Sequence, residues 1–187
     1  MTEQIAVKLR GLSQAETRWL KAFGSIVFCA LTFLAAQVRI PLPFTPIPMT
    51  LQTLVAPLAG AFLGVGWGAV SMLLYVALGF ACMHVFAVAP GGWSFFLAPS
   101  AGYVLGFLLA AVVLGWAKDR ATGRLPLLLA LILSHLLIFG CGVAGLMINA
   151  QMTAVQALAA GVAPFVLGDV LKIAASFLIL VGLRPAK

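Results

Sequence analysis

In the run "VLGDVLKIAAS", Asp169 and Lys172 set an acid and a base three residues apart among aliphatic side chains. On a helix that spacing puts both on one face, and Ser176 continues the same stripe. A carboxylate accepts N–H groups and an ammonium donates to a carbonyl, so the pair suits a neutral ligand group that carries both donors and an acceptor. Ionisable groups inside an apolar span are costly and usually face the bundle interior on a ligand or ion path. The competing reading is a structural pair that only neutralises itself. A buried ion pair adds little stability over an apolar replacement, which disfavours that reading. Arg39 stands well away in sequence and is free to meet a carboxylate.

Other chemistries find little support. "GCGVAG" at Gly140–Gly145 has the glycine spacing of a dinucleotide loop, but it lies within an apolar run, with no strand before it and no acid about 20 residues on. Close helix packing through small residues is the better reading, as it is for Gly60-x-x-x-Gly64 and Gly102-x-x-x-Gly106. There is no phosphate-binding loop ending in Gly-Lys-Ser/Thr, no zinc-protease motif, and no nucleophile–base set. His135 reads as a packing residue, while His84 stands open between packing and function. Cys29, Cys82 and Cys141 sit singly among aliphatic residues, so neither a disulfide framework nor a metal site is expected. No cofactor and no metal are expected, and the chain does not read as an enzyme.

The elements that must position these residues are membrane helices. The chain has 187 residues, is 64% hydrophobic and 8% charged, and has a mean hydropathy of +1.18. About 20 apolar residues cross a bilayer's hydrocarbon core. Six spans are expected, near residues 19–38, 50–63 (broken by Pro57), 69–88, 101–117, 125–148 and 164–183, with Pro164 in the first turn of the last. The first eighteen residues carry no apolar stretch like that of a cleavable signal and read as a polar, cytoplasmic segment; residues 19–187 read as a single membrane domain. No internal repeat is apparent.

Lys8, Arg10, Arg18, Lys21, Lys118, Arg120, Arg124, Arg184 and Lys187 all fall on one side of a six-span topology. Arg39 is on the other side and Lys172 is within the last span. By the positive-inside rule both termini are cytoplasmic, so the net charge of +7 reflects topology and not a nucleic-acid partner. The expected fold is therefore an all-α integral membrane protein, a compact bundle of six transmembrane helices in the cell membrane. With this orientation Asp169 and Lys172 lie one to two turns below the outer surface. Thr50, Gln52, Thr53, His84, Asn149 and Gln151 collect at the same end. Between the first two spans, "RIPLPFTPIPMTLQT" packs four prolines into the eight residues from Pro41 to Pro48. Proline fixes φ and pushes its predecessor to extended conformations, so this segment continues neither helix. Non-helical backbone at membrane depth is tolerated where it lines a cavity or is buried by protein. The segment is expected to be a stiff lid above Asp169 and Lys172.

These residues resemble a known family. "VRIPLPFTPIPMTLQTLVAPLAGAFLG", "GAVSMLLYVALGFACMHVFA", "GGWSFFLAPSAGYVLGF" and the Asp-x-x-Lys of the last span are similar to the BioY family, the biotin-specific substrate-binding (S) components of energy-coupling-factor (ECF) transporters. The resemblance covers most of the chain. It implies high-affinity biotin capture near the outer face, a separate transmembrane coupling protein, two ABC-type ATPases that supply ATP-driven work, and toppling in the membrane to deliver substrate. Carried onto this sequence, it implies a site of Asp169, Lys172 and Arg39, with Thr45 and Gln52 from the lid. The ureido N–H groups would go to Asp169, the ureido oxygen to Lys172 and the carboxylate to Arg39, while Phe44, Trp93 and Tyr103 supply apolar walls. Charge matching alone sets this orientation, and the reverse stays open. The loop "VAPGGWSFFLAPSAGY" departs from the Gly-rich, polar sequence usual in the family. On the first span, Ser25-x-x-x-Cys29 stands where S components carry a small-residue patch for the coupling protein. Three alternatives stay beside this reading: an S component for another vitamin, a membrane-embedded lipid-modifying enzyme, and an assembly subunit that binds no ligand.

Overall fold

The computed structural model describes residues 14–81, 85–87, 91–120 and 123–183. Cys82, His84, Lys8, Arg10, Arg184 and Lys187, named above, lie outside the described residues, as does most of the N-terminal segment. In chain order the elements are α1 (Gln14–Gln37), β1 (Arg39–Ile40), β2 (Met49–Thr50), α2 (Gln52–Leu63), α3 (Val65–Ala81) and a 3-10 helix (Gly92–Leu97). There follow α4 (Ala101–Arg120), α5 (Arg124–Asn149), α6 (Ala154–Gly161), a 3-10 turn (Ala163–Phe165) and α7 (Val166–Gly182). Among the described residues, four segments are long and apolar enough to cross a membrane: α1, α4, α5 and the stretch Ala154–Gly182. Helices α2 and α3 are apolar but shorter.

Small residues decide how the helices meet. On α4, Gly102 and Gly106 face α5, where a Cβ on either would fall against the Cys141 and Ile138 backbones. Farther along, Ala111 and Gly115 face α2, and a Cβ on Gly60 would fall on the Ala111 carbonyl. With small residues on two faces, α4 is approached closely on both sides and becomes the central helix, buried from Ala101 through Gly115 at ten positions. Gly142 and Gly145 of "GCGVAG" face Tyr103 and Gly102, so helix contact is what this glycine pattern serves. Between α2 and α3 the chain reverses at Gly64, whose φ of +82° is left-handed and favours glycine.

The core divides in two. Leu58, Leu114, Leu127, Leu131 and Leu180 fill one end of the bundle, where Lys118, Phe62 and Leu183 also meet. The other end is aromatic, built on Tyr75, Phe86, Phe95, Tyr103, Phe107 and Phe165. At 12 residues α2 is about 18 Å long, shorter than a hydrocarbon core of about 30 Å. It begins at depth, and the proline-rich segment occupies the space beyond its N-terminus. That segment is an antiparallel hairpin pairing Arg39 with Thr50 and Ile40 with Met49.

Several boundaries differ from the expected ones. Helix α3 starts at Val65, earlier than residue 69, because the Gly64 reversal needs only one residue. The chain before the last span is not a plain connection. Thr153 and Gln156 form a capping box that starts α6, and Pro164 lies in the 3-10 turn between α6 and α7. Ser25 and Cys29 also depart from a partner-facing role: both turn into the bundle, and the Ser25 hydroxyl donates to the Trp67 carbonyl at 2.9 Å.

Candidate functional site

At the aromatic end a cleft opens between the hairpin and helices α2, α3, α4, α5 and α7. Helix α7 carries Asp169 and Lys172 on the face turned into it, and both are buried. Lys172 Nζ lies 2.7 Å from Asp169 Oδ1. Thr53, in the first turn of α2, binds both: its hydroxyl donates to Asp169 Oδ1 at 3.0 Å and accepts from Lys172 Nζ at 2.9 Å. The three groups close a ring, and both of the bonds that Asp169 accepts fall on Oδ1. Asp169 Oδ2 is buried and has no hydrogen-bond partner among the described residues. A buried carboxylate oxygen left bare is expensive unless something donates to it, so the cleft presents a strong acceptor beside a donor with N–H capacity remaining.

Next to the ring, Gln52 donates through Nε2 to the Tyr75 hydroxyl at 2.8 Å, and Tyr75 donates to the Val85 carbonyl at 3.3 Å. Tyr103 lines the opposite wall and donates to the Gly161 carbonyl at 2.7 Å, tying α4 to the end of α6. The cavity measures about 50 Å³. Sites enclosing a drug-sized ligand run to roughly 300–1,000 Å³. A ligand of that size therefore has to part the walls.

The hairpin roofs this cleft with Ile47, Pro48 and Thr50. Met49 packs on Gly168, next to Asp169, where a Cβ would come within 2.9 Å of the methionine sulfur. The Leu51 amide donates to the Ala35 carbonyl at 3.3 Å. The Arg39 guanidinium donates to the carbonyl of Ala87, a residue of the cleft wall. These three ties hold the roof to α7, α1 and the chain after α3.

Among profile comparisons, the BioY family model matches residues 12–187. This chain belongs to the BioY family. A BioY named a biotin transporter in Thermotoga maritima is 31% identical over 159 residues, 84% of this chain and 92% of that one. A probable biotin transporter BioY of Pyrococcus horikoshii is 32% identical over 154 residues, 82% of this chain and 89% of that one. The crystal structure of the S-component for biotin from an ECF-type ABC transporter superposes with a TM-score of 0.82, covering 95% of this chain and 96% of that one. At 22% identity that likeness shows a shared fold. With its long apolar helices, this BioY-family chain is a multi-pass membrane protein.

Of the residues expected at the site, the fold brings Asp169, Lys172, Gln52 and Tyr103 to one cleft. Arg39 stands at its rim, exposed, through Ala87. Thr45 does not line the cleft; its Oγ1 accepts from the Ile47 amide at 3.2 Å and shapes the roof. Phe44 and Trp93 do not line it either, being 66% and 81% exposed. Phe86 and Phe165 supply the aromatic wall in their place. Thr53 and Tyr75 were absent from the expected contacts. Tyr75 is one of two tyrosines in the chain and sits mid-run among aliphatics, which was a legible signal, since a buried Tyr hydroxyl needs a partner. Topology puts Thr53 at the same end as Asp169 and Lys172, but its bond to them depends on α2 meeting α7.

Proposed function

We propose that this BioY-family protein captures biotin and passes it across the cell membrane as the substrate-binding component of an ECF-type transporter. The observation that carries the reading is the bare, buried Oδ2 of Asp169 beside a lysine whose ammonium keeps donor capacity. Biotin's ureido ring offers N–H donors and a carbonyl on one rigid edge. One N–H would go to Asp169 Oδ2 and the oxygen to Lys172, with Tyr103, Phe86 and Phe165 against the fused rings. The valeryl carboxylate would reach the rim, where Arg39 would exchange the Ala87 carbonyl for it. Gln52 and Thr53 hold the polar floor. Phe44, Thr45 and Trp93 act from outside the cleft.

The chain works as one membrane domain, residues 19–187 behind a cytoplasmic N-terminal segment. It crosses six times: α2 and α3 count as crossings because the hairpin and the 3-10 helix complete their depth. Arg18 and Lys118 lie at the leucine end of the bundle, away from the cleft. That arrangement supports cytoplasmic termini and a cleft that opens outward. The partners are a transmembrane coupling protein and two ABC-type ATPases, with no cofactor held by this chain.

Calorimetric titration of the purified protein with biotin tests the site. Asp169→Asn or Lys172→Ala should each weaken binding by orders of magnitude while the protein still inserts. Wild-type affinity in both would refute the assignment.

A further inference from the structure

The 3-10 helix Gly92–Leu97 has two unlike faces. Inward, Phe95 is fully buried and stacks on Phe86 at 4.0 Å between centroids, and Phe86 meets Tyr75 edge-on at 5.5 Å. Outward, Trp93, Phe96 and Leu97 are exposed. Trp93 packs edge-on against Phe80 of α3 at 5.4 Å, which makes this face continuous with the exposed leucines of α3, Leu73, Leu74 and Leu78.

Water is not the natural neighbour of this face. From Ile40 to Ala117 the sequence has no Asp, Glu, Lys or Arg, so nothing charged resists burial in lipid. Several of its backbone carbonyls also find partners within the protein. Asn149 Nδ2 donates to the Phe96 and Ala98 carbonyls at 2.8 and 2.9 Å, the Ser94 hydroxyl donates to the Gly91 carbonyl at 2.9 Å, and the Ala98 amide donates to the Phe95 carbonyl. Carbonyls facing water need no such partners, whereas carbonyls near hydrocarbon do. Tryptophan, an apolar ring with one N–H donor, favours the headgroup boundary.

We propose that Gly92–Leu97 is a bilayer anchor at the cleft end of the protein, with Trp93, Phe96 and Leu97 seated among phospholipids at the level of the glycerol backbone. Its inner face is Phe95, so the lipid-seated turn backs directly onto the aromatic wall of the cleft.

The test leaves Trp93 as the sole tryptophan, by Trp19→Phe, Trp67→Phe and Trp116→Phe in the full chain, reconstituted in phosphatidylcholine vesicles. Lipids brominated near the glycerol backbone should remove most Trp93 emission, lipids brominated near the methyl ends should remove less, and aqueous iodide should remove little. Strong iodide quenching with no bromolipid effect overturns the proposal. So does bromolipid quenching that fades as the protein-to-lipid ratio rises, because a second copy would then cover the face. If the triple variant fails to insert, wild type is compared with Trp93→Phe. Loss of the shallow-quenched component supports the anchor, and no loss overturns it.

Discussion

Thr53 on α2 and Asp169 on α7, 116 residues apart, are joined by a 3.0 Å hydrogen bond, and the same threonine oxygen accepts from Lys172. The hydroxyl occupies Oδ1 and so directs the free valence of Asp169 to Oδ2. Thr53→Val keeps the side-chain shape and removes this bond. Because a hydrogen bond to a charged group is worth about 1.5–3 kcal/mol, biotin affinity should fall roughly ten- to hundred-fold. Titration calorimetry reads the change, and an unaltered Kd would show that the ring does not serve the ligand.

The ion pair separates stability from function. Asp169→Leu or Lys172→Leu alone strands a buried charge, costing about 3–5 kcal/mol, and should lower the melting temperature in detergent. The double variant removes both charges and should recover much of that stability. It should still fail to bind biotin. A double variant that binds normally would make the pair structural only.

Arg39 sits at the rim with its guanidinium on the Ala87 carbonyl, and the orientation of biotin rests on it. Arg39→Ala should weaken binding of biotin and leave binding of its uncharged carboxamide unchanged. Equal losses for both ligands would place the carboxylate elsewhere.

Gly168 lets Met49 lie close over α7. Gly168→Val should push the hairpin outward and speed biotin release in a stopped-flow chase, with Asp169 and Lys172 intact. Unchanged release would mean that the roof is not held at this contact.

Within "GCGVAG" the glycines should differ. A Cβ at Gly145 would come within 2.9 Å of the Gly102 backbone, whereas a Cβ at Gly140 meets nothing within 4 Å. Gly145→Ala should therefore destabilise the α4–α5 contact and lower the melting temperature. Gly140→Ala should be neutral or stabilising by up to about 1 kcal/mol, the helix propensity difference. Similar effects at both positions would argue against close α4–α5 packing as the reason for the motif.

Much of the site was legible before any fold was known. Asp169 and Lys172 announced themselves because ionisable groups in an apolar run are costly, and their spacing alone put them on one face. The prolines of "RIPLPFTPIPMTLQT" announced a non-helical segment because proline fixes φ and lacks a donor. The glycine spacing in α4 and α5 announced close contact, and α4 is packed closely on two sides. Phe44 and Trp93 show the limit. An aromatic residue near a site in sequence can face the cleft or the surroundings, and no local rule chooses. Phe44 is exposed on the hairpin, while Phe95, two residues from Trp93, turns inward.

The sequence by itself determined a basic, apolar chain built of membrane helices, with one acid–base pair at depth and one stiff interruption, since these follow from composition and from periods of a few residues. Only the tertiary structure decided that Thr53 completes the ring, that Tyr75 and Phe86 form the wall, and that Asp169 keeps one oxygen bare among the described residues. Those facts depend on which helix faces which across more than a hundred residues. Close approach between small side chains sets that relation, and glycine spacing marks a face that packs closely without naming the helix it meets.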